Sequence, residues 1–572
     1  MSRVFLPHVI TDDSALGGKV IEKSLRFNGQ NESTAPQLRR TGTTTSSSFS
    51  IAMWAKLSRV SDQYKMFFSI GQENDANAAW VAVQDGQNMG FQGGNGTYTT
   101  ISRKFRDPTS WFHFLISVNS NNFTVYIDGT SVQTGTIRSL DTSTNGIRIG
   151  VNYSNFYPWN GYLADVYLID GQAKDPTDFG YTESQTGIWR PKKYTGTFGT
   201  GGAHLEFKDS SSVAALGKDT SGNGNDFTPT TDGFNVTAGA GNDSLIDTPS
   251  NNFCTLNAVN QDSNTTLTEG NLKAAGSSST AYSFHTQGTF AQSSGKWYYE
   301  VEYTANGGGT NSDLPAIGWA RTTLRPTDNP TGGGGLCYRP ARGDYIDLAG
   351  NNPTSKPTTS LGNVVQVAID FDAGKIWFGN GGTYFESGNP STGANANITF
   401  TGGAELLSPF IRSLSSTFNF NFGQRPFSYT APTGYKTLES RNLPPNVPSI
   451  VRPQRHFNTV LYTGNSSTNK ITGLEFKPDF VWVKRRDSSA HHNLVDSVRG
   501  TQKHLQSSSN GSEDTETGSN GLISFNEDGF TVSGTNSGTG RINYSGNTFV
   551  AWCWKAGGAA VSNSDGTITS SV

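Results

Sequence analysis

Cysteine is close to absent. Cys254, Cys337 and Cys553 are far apart and odd in number, so they build neither a disulfide framework nor a Cys-x-x-Cys zinc site. Methionine is nearly as scarce, at four, and few segments repeat their apolar residues with a helical period. No apolar run reaches the length that would cross a membrane. The opening MSRVFLPHVITDDSALGG has no long apolar stretch of the secretory type. Charge of one sign is missing too: 43 basic residues face 46 acidic ones. The densest basic cluster, Lys484-Arg485-Arg486, reads as a solvated strand end, and nucleic acid is excluded as the main partner for want of a basic stripe.

What is abundant is glycine, with 67 residues, while aromatics reach 11% against only 33% hydrophobic residues in all. Glycine supplies the positive φ of tight turns, and rings fill thin cores between sheets. The chain is expected to be all-β and multi-domain, a tandem of β-sandwiches. Its 572 residues suffice for three or four units. A chain with no signal peptide points to a reducing cytoplasm, yet this one is composed like an adhesive protein that works outside cells.

The hairpin WFHFLISVNSNNFTVYIDG, Trp111 to Gly129, sets Phe112, Phe114, Ile116 and Val118 on one face. Phe123, Val125 and Ile127 follow on the same face after an Asn-rich turn. Asp128-Gly129 is suited to the next tight turn. With RIG and NGYLADVYLIDGQA downstream, this order resembles the laminin G-like, concanavalin-type jelly-roll family. That resemblance covers 24–209, with His204–Asp209 as a closing strand. It implies a binding fold whose loops take sugars or calcium. Asp128 and Asp165 are candidate calcium ligands, although turn-making and strand-capping explain them more simply, and no cofactor is expected. A hydrolase version of the fold would carry E-x-D-x-x-E; that spacing is not present, so a non-enzymatic role is expected.

Residues 210–252 are polar and Gly-rich and read as an extended connector. GAGND and GGGGLC lack the strand–loop–helix context of a phosphate loop. Next come SGKWYYEVEY, PAIGWA, NVVQVAIDFDAGKIWFGNGG and FNFNFGQRPFSY. Their order resembles the SPRY domain over 253–440, a β-sandwich that binds partners through loops. Asp370, Asp372 and Gly374 read as its hairpin turn. Tyr338, Arg342 and Tyr345 are candidates for contacting a glycan or partner protein, rings for sugar C–H faces and the guanidinium for directional hydrogen bonds. The triplet Arg342-Gly343-Asp344 is a chance RGD.

Residues 441–456 are a Pro-rich linker. Beyond it, GLEFKPDFVWVKRR and GNTFVAWCWKAGG bracket a Ser/Asn/Gly loop. This resembles a β module of phage structural proteins over 457–572, and the last residues read as the start of a further unit. His491, His492 and His504 read as solvated, not as a metal site. Nearly the whole chain resembles virion structural proteins of tailed phages of marine bacteria and cyanobacteria. The resemblance implies a tail fibre-like virion protein: residues 1–23 docking on other tail proteins, a homotrimer, and non-catalytic attachment to host-surface glycan, with no membrane insertion. A structural tail or capsid component is the alternative; a tail-spike depolymerase and a secreted lectin stand behind it.

Overall fold

The computed structural model describes residues 18–29, 35–41, 45–59, 65–71, 79–83, 88–93, 97–136, 140–141, 146–152, 157–183, 187–230, 233–277, 285–306, 315–351, 357–402, 405–443, 456–474, 476–518, 520–534, 542–556, 562–563 and 570–571. These residues form an all-β protein with only short 3-10 turns beside the strands. Two compact units result, Met1–Pro444 and Pro445–Val572.

The first unit holds two sandwiches. In the first, one sheet runs Thr130–Thr136, Asn122–Ile127, Trp111–Asn119, Phe49–Leu57, Asn160–Asp170, Ser24–Asn28 and Ser244–Leu245 in spatial order. The facing sheet runs Thr228–Pro229, Leu38–Arg40, Ile147–Ile149, Lys65–Ile70, Ala79–Val83, Asn88–Gly93 and Thr97–Lys104. Side-chain alternation places the apolar set of the Trp111–Gly129 hairpin in the core, as the sequence predicts. Asp128 and Gly129 both take positive φ, 51° and 76°, the conformation that closes a two-residue hairpin loop. A side chain at Gly129 would also run into the ring of Trp189.

Residues 210–252 correct the expectation of an extended connector. Leu216, Phe227 and Phe234 lie in the first core, and Thr228–Pro229 and Ser244–Leu245 each add an edge strand. Apolar residues spaced singly through a Gly/Asn-rich stretch anchor it to the sandwich without giving it a periodic pattern. Of the N-terminal segment, residues 1–17 lie outside the described residues. Residues 18–23 pack against the first sandwich: Gly18 bridges to Lys192, and Ile21 is buried.

In the second sandwich a sheet centred on Lys296–Ala305 faces one centred on Ala316–Arg321. Trp297, Tyr299 and Val301 point into the core. Glu300, on the opposite face, is buried beneath residues 427–435. Its carboxylate accepts from the Tyr298 hydroxyl (2.8 Å) and from the backbone N–H groups of Ser428 and Tyr429.

The two sandwiches share a continuous packed interface. Trp111, Lys56, Tyr162 and Arg26 form one row across four adjacent strands on the outer face of the first sheet. Trp54, Trp111 and Tyr162 belong to the apolar cluster of the second sandwich. Lys56 Nζ meets Asp247 at 2.8 Å and Asn252 at 2.7 Å. Trp111 Nε1 donates to Asp247 at 3.0 Å, and the Tyr162 hydroxyl donates to the Gly270 carbonyl at 2.6 Å. Arg26 is held by Asp243 and Glu269.

The second unit is a smaller sandwich. One sheet runs Phe457–Thr463, Thr548–Trp554, Phe480–Arg485, Asn493–Asp496, Lys503–Gln506 and Asp514–Thr515; the other runs Asn469–Thr472, Gly529–Ser533 and Gly521–Asn526. Its core is built from Val481, Val483, Phe530, Phe549 and Ala551, among others. The Pro-rich linker lies outside the described residues over 444–455.

Candidate functional site

Alternation along Leu38–Arg40 and Ile147–Ile149 sends Leu38, Ile147 and Ile149 into the core, and so turns Arg39 and Arg148 outward. The register sets Arg39 directly opposite Arg148, with Thr228 on the other side of Arg39 and Ser69 beyond Arg148. Like charges paired across strands are destabilising, and a bound anion or polar ligand would relieve that cost. The two arginines, with Gln37, Thr228, Pro229 and Thr230, line a cleft of about 240 Å³. Arg148 is nearly buried; its guanidinium donates to Gln37 Oε1 at 3.3 Å. Gln37 and Thr230 are tied backbone to backbone and backbone to hydroxyl, which fixes the far wall. None of these lining residues is acidic. The cleft therefore offers guanidinium, amide and hydroxyl groups on rigid strands, a donor-rich surface suited to sugar hydroxyls and acid groups.

A second cluster surrounds Asp165. This residue sits at φ 52° in a bulge of Asn160–Asp170. Its carboxylate meets Lys19 Nζ and His204 Nε2, both at 2.7 Å, and accepts from the Tyr167 hydroxyl. Lys19 also reaches Glu206 at 3.0 Å. Burial opposes ionisation of Asp165, yet Lys19 and His204 hold its pKa well below the usual carboxylate range. Burial likewise works against the Lys19 charge, and Asp165 and Glu206 more than offset it. Asp165, His204 and Glu206 bring ligand-type atoms within 4.8 Å of one another. The Lys19 ammonium lies against both Asp165 and Glu206, so the three form an internal ion network with His204.

The other candidates are placed as follows. Tyr338 and Tyr345 face each other across the strands Gly335–Arg339 and Asp344–Ile346, and both are fully buried. Their rings pack on Phe378, and the Tyr338 hydroxyl donates to the Pro357 carbonyl at 2.6 Å. This corrects the expectation that they stack on a ligand: alternation points both inward. Arg342 stays partly exposed beside Asp344, at 2.9 Å, in the turn between those strands. Asp344 is also clamped by Arg339, so the RGD triplet is a hairpin turn.

Asp128 accepts from the His113 backbone N–H and pairs with Arg103, which is the turn role. Asp370 accepts from Ala373 N–H, and Asp372 from Gly295 N–H, with Gly374 at φ 63°. His113 is buried, its pKa pushed down to about 3 by burial, and so stays neutral. His492 accepts from Trp482 Nε1, His491 contacts Ser508, and His504 is buried 3.9 Å from Asp514. The three do not converge on a metal-binding group among the described residues. Cys254, Cys337 and Cys553 are free and buried, their thiols raised to about 11, 12 and 12 by burial.

Arg39 and Arg148 were not singled out from sequence. The available signal was an arginine between two apolar strand residues in IRI and beside one in LRR; the register that pairs them cannot be read from either strand alone.

Residues 28–176 match the family model of the Concanavalin A-like lectin/glucanases superfamily (Laminin_G_3), and residues 296–425 that of the SPRY domain. Residues 452–572 match a domain of unknown function, DUF7483. The chain thus carries the laminin G-like and SPRY domains to which its motifs point. No curated protein matches it. Among solved structures, a heptameric SAP-like pentraxin from Limulus polyphemus is 16% identical, with 27% of this chain and 79% of that one covered at a TM-score of 0.22. The SPRY domain of human HERC1 is 14% identical, with 30% and 99% covered at 0.23. A putative carbohydrate binding protein from Bacteroides ovatus is 13% identical, with 37% and 58% covered at 0.27. Scores this low say nothing of function.

Proposed function

We propose that the chain is a tail fibre-like phage virion protein that attaches to host-surface glycan without catalysis. The observation that carries the glycan reading is the Gln37–Arg39–Arg148 cleft on a lectin-type sandwich. Two opposed guanidiniums favour a glycan bearing carboxylate or sulfate groups. The virion setting, the homotrimer and docking through the N-terminal segment rest on the sequence resemblance to tailed-phage proteins. Several weak sites on one particle would then act together, raising avidity with no new contact.

A glycan array probed with the full chain tests the reading. Acidic host polysaccharides bind, and Arg39→Ala, an exposed change, weakens them several-fold with the melting temperature unchanged. Binding indifferent to Arg39→Ala and Arg148→Lys removes the cleft from the account. Cryo-electron microscopy of the particle tests the virion setting: sandwiches projecting into solvent support attachment, and sandwiches packed among neighbours support the structural-component reading. One feature favours that second reading: on the Pro445–Val572 unit Phe457, Leu461 and Leu505 are exposed, and Trp482, Trp552 and Trp554 are partly so.

A further inference from the structure

Lys56 ends in a closed site between the two sandwiches. Its Nζ lies 2.7 Å from Asn252 Oδ1 and 2.8 Å from Asp247 Oδ2, and all three residues are buried. The Tyr162 ring centroid is 5.5 Å from the ammonium, and Trp111 holds the other Asp247 oxygen. The Asn252 amide is fixed in orientation, because Nδ2 donates to the Thr109 carbonyl at 2.8 Å. Its backbone is tied to Ser440 on both sides, N–H to hydroxyl at 3.0 Å and carbonyl to N–H at 2.8 Å. The amide oxygen therefore faces the lysine and the amide nitrogen faces away. The carbonyl carbon is ~1.2 Å from that oxygen, which puts Nζ within about 4 Å of it. A near-attack geometry needs ~3–3.5 Å, so little movement separates the two.

A desolvated amine, a carboxylate that can take its proton and a side-chain amide as electrophile are the parts of an acyl transfer. The other buried lysine cluster lacks the last part: Lys19 meets the carboxylates of Asp165 and Glu206, and an ionised carboxylate resists attack.

We propose that Lys56 and Asn252 join in an isopeptide bond, with Asp247 as the general base. The Lys56 ammonium passes one proton to Asp247 Oδ2, and the amine so freed attacks Asn252 Cγ. The Nζ–Cγ bond forms, the Cγ–Nδ2 bond breaks, and a second proton leaves Nζ with the departing nitrogen as ammonia. Asp247 keeps the first proton and remains a neutral acid beside the new amide. Two buried charges disappear, which removes their desolvation cost, and no oxidant or further reactant is consumed. The site excludes water, so the amide is shielded from hydrolysis. The charged pair is the reactant, and its contribution to stability is that of the chain before the bond closes. The bond joins positions 196 apart in sequence. It fastens the strand Phe49–Leu57 to the segment entering the second sandwich, so a pull from one sandwich to the other crosses a covalent link. It does not depend on the glycan reading.

Intact-mass spectrometry of the full chain, followed while it stands at neutral pH, tests the bond. The wild type should lose the mass of one ammonia. After trypsin, the peptide holding Lys56 should emerge joined to the peptide holding Asn252. Asn252→Ala retains the Lys56–Asp247 pair and should keep its full mass. If Asn252→Ala loses its fold by circular dichroism, the joined peptide of the wild type decides alone. A wild type whose mass never changes overturns the proposal, as does an ammonia loss that maps to another asparagine. Loss of water in place of ammonia would put the bond on Asp247 and overturn it too.

Discussion

Two sheets in this chain present a tryptophan and a lysine two residues apart on their outer face, and they meet opposite fates. On the first sandwich, Trp54 and Lys56 lie under the second sandwich, and the Lys56–Asp247 pair has side-chain exposures of 1% and 0%. On the Pro445–Val572 unit, Trp482 and Lys484 remain half-buried, and Lys484 Nζ finds only the Arg485 carbonyl, at 3.2 Å, among its described hydrogen bonds. Local sequence thus decides that a face is aromatic and carries a cation. What covers the face is decided elsewhere, by residues 240–271, which supply Asp243, Asp247, Asn252 and Glu269 to the first sheet.

The largest break in this comparison is Lys56→Met. It leaves Asp247 buried without its cation, which costs about 3–5 kcal/mol and should appear as an early unfolding transition of the first unit in denaturant. Adding Asp247→Leu should recover most of that loss, because an apolar pair replaces a charged one at little cost once both partners go. Trp111→Ala removes a buried indole and its bond to Asp247, for a comparable ~3–5 kcal/mol. On the bare sheet, Lys484→Met should change stability by no more than about 0.5 kcal/mol. A Lys484→Met penalty as large as that of Lys56→Met would end the contrast.

Acid sharpens the difference next. Asp165 has its pKa lowered by Lys19 and His204, so its contribution is complete above the unfolded value of about 3.9 and is lost as pH falls through the lowered folded value. The first unit should therefore weaken below about pH 4 in part through this group. Lys19→Met should shrink that part of the acid dependence, leaving the share held by His204, and lower stability at neutral pH by about 3 kcal/mol. Melting curves from neutral to acid pH for both chains check it; an unchanged acid slope in Lys19→Met would assign the loss to other carboxylates.

The fold was legible because alternation is local. Phe112, Phe114, Ile116 and Val118 declare their face within nine residues, and Asp128-Gly129 declares the turn. That rule was not applied to Tyr338 and Tyr345. Their positions beside a polar turn suggested loops, whereas two short strands hold both rings inward. Residues 210–252 were read as a connector because Leu216, Phe227, Phe234 and Leu245 are too widely spaced to form a pattern. Each fills a place in a core or at a sheet edge that other strands define. The cleft was hidden for a related reason: Arg39 and Arg148 become neighbours only through the antiparallel register of two distant strands.

The smallest expected effect is optical, and it reaches both halves of the comparison in one experiment. Iodide quenches only indoles that water can reach. Trp54 and Trp111 are sealed beneath the second sandwich, whereas Trp482, Trp552 and Trp554 stand partly open. In dilute solution the quenchable fraction should fall when Trp482 and Trp552 are replaced by Phe, and should stay unchanged on Trp54→Phe. A quenchable fraction that falls as far on Trp54→Phe as on replacing Trp482 and Trp552 would end the contrast between a covered sheet face and an exposed one.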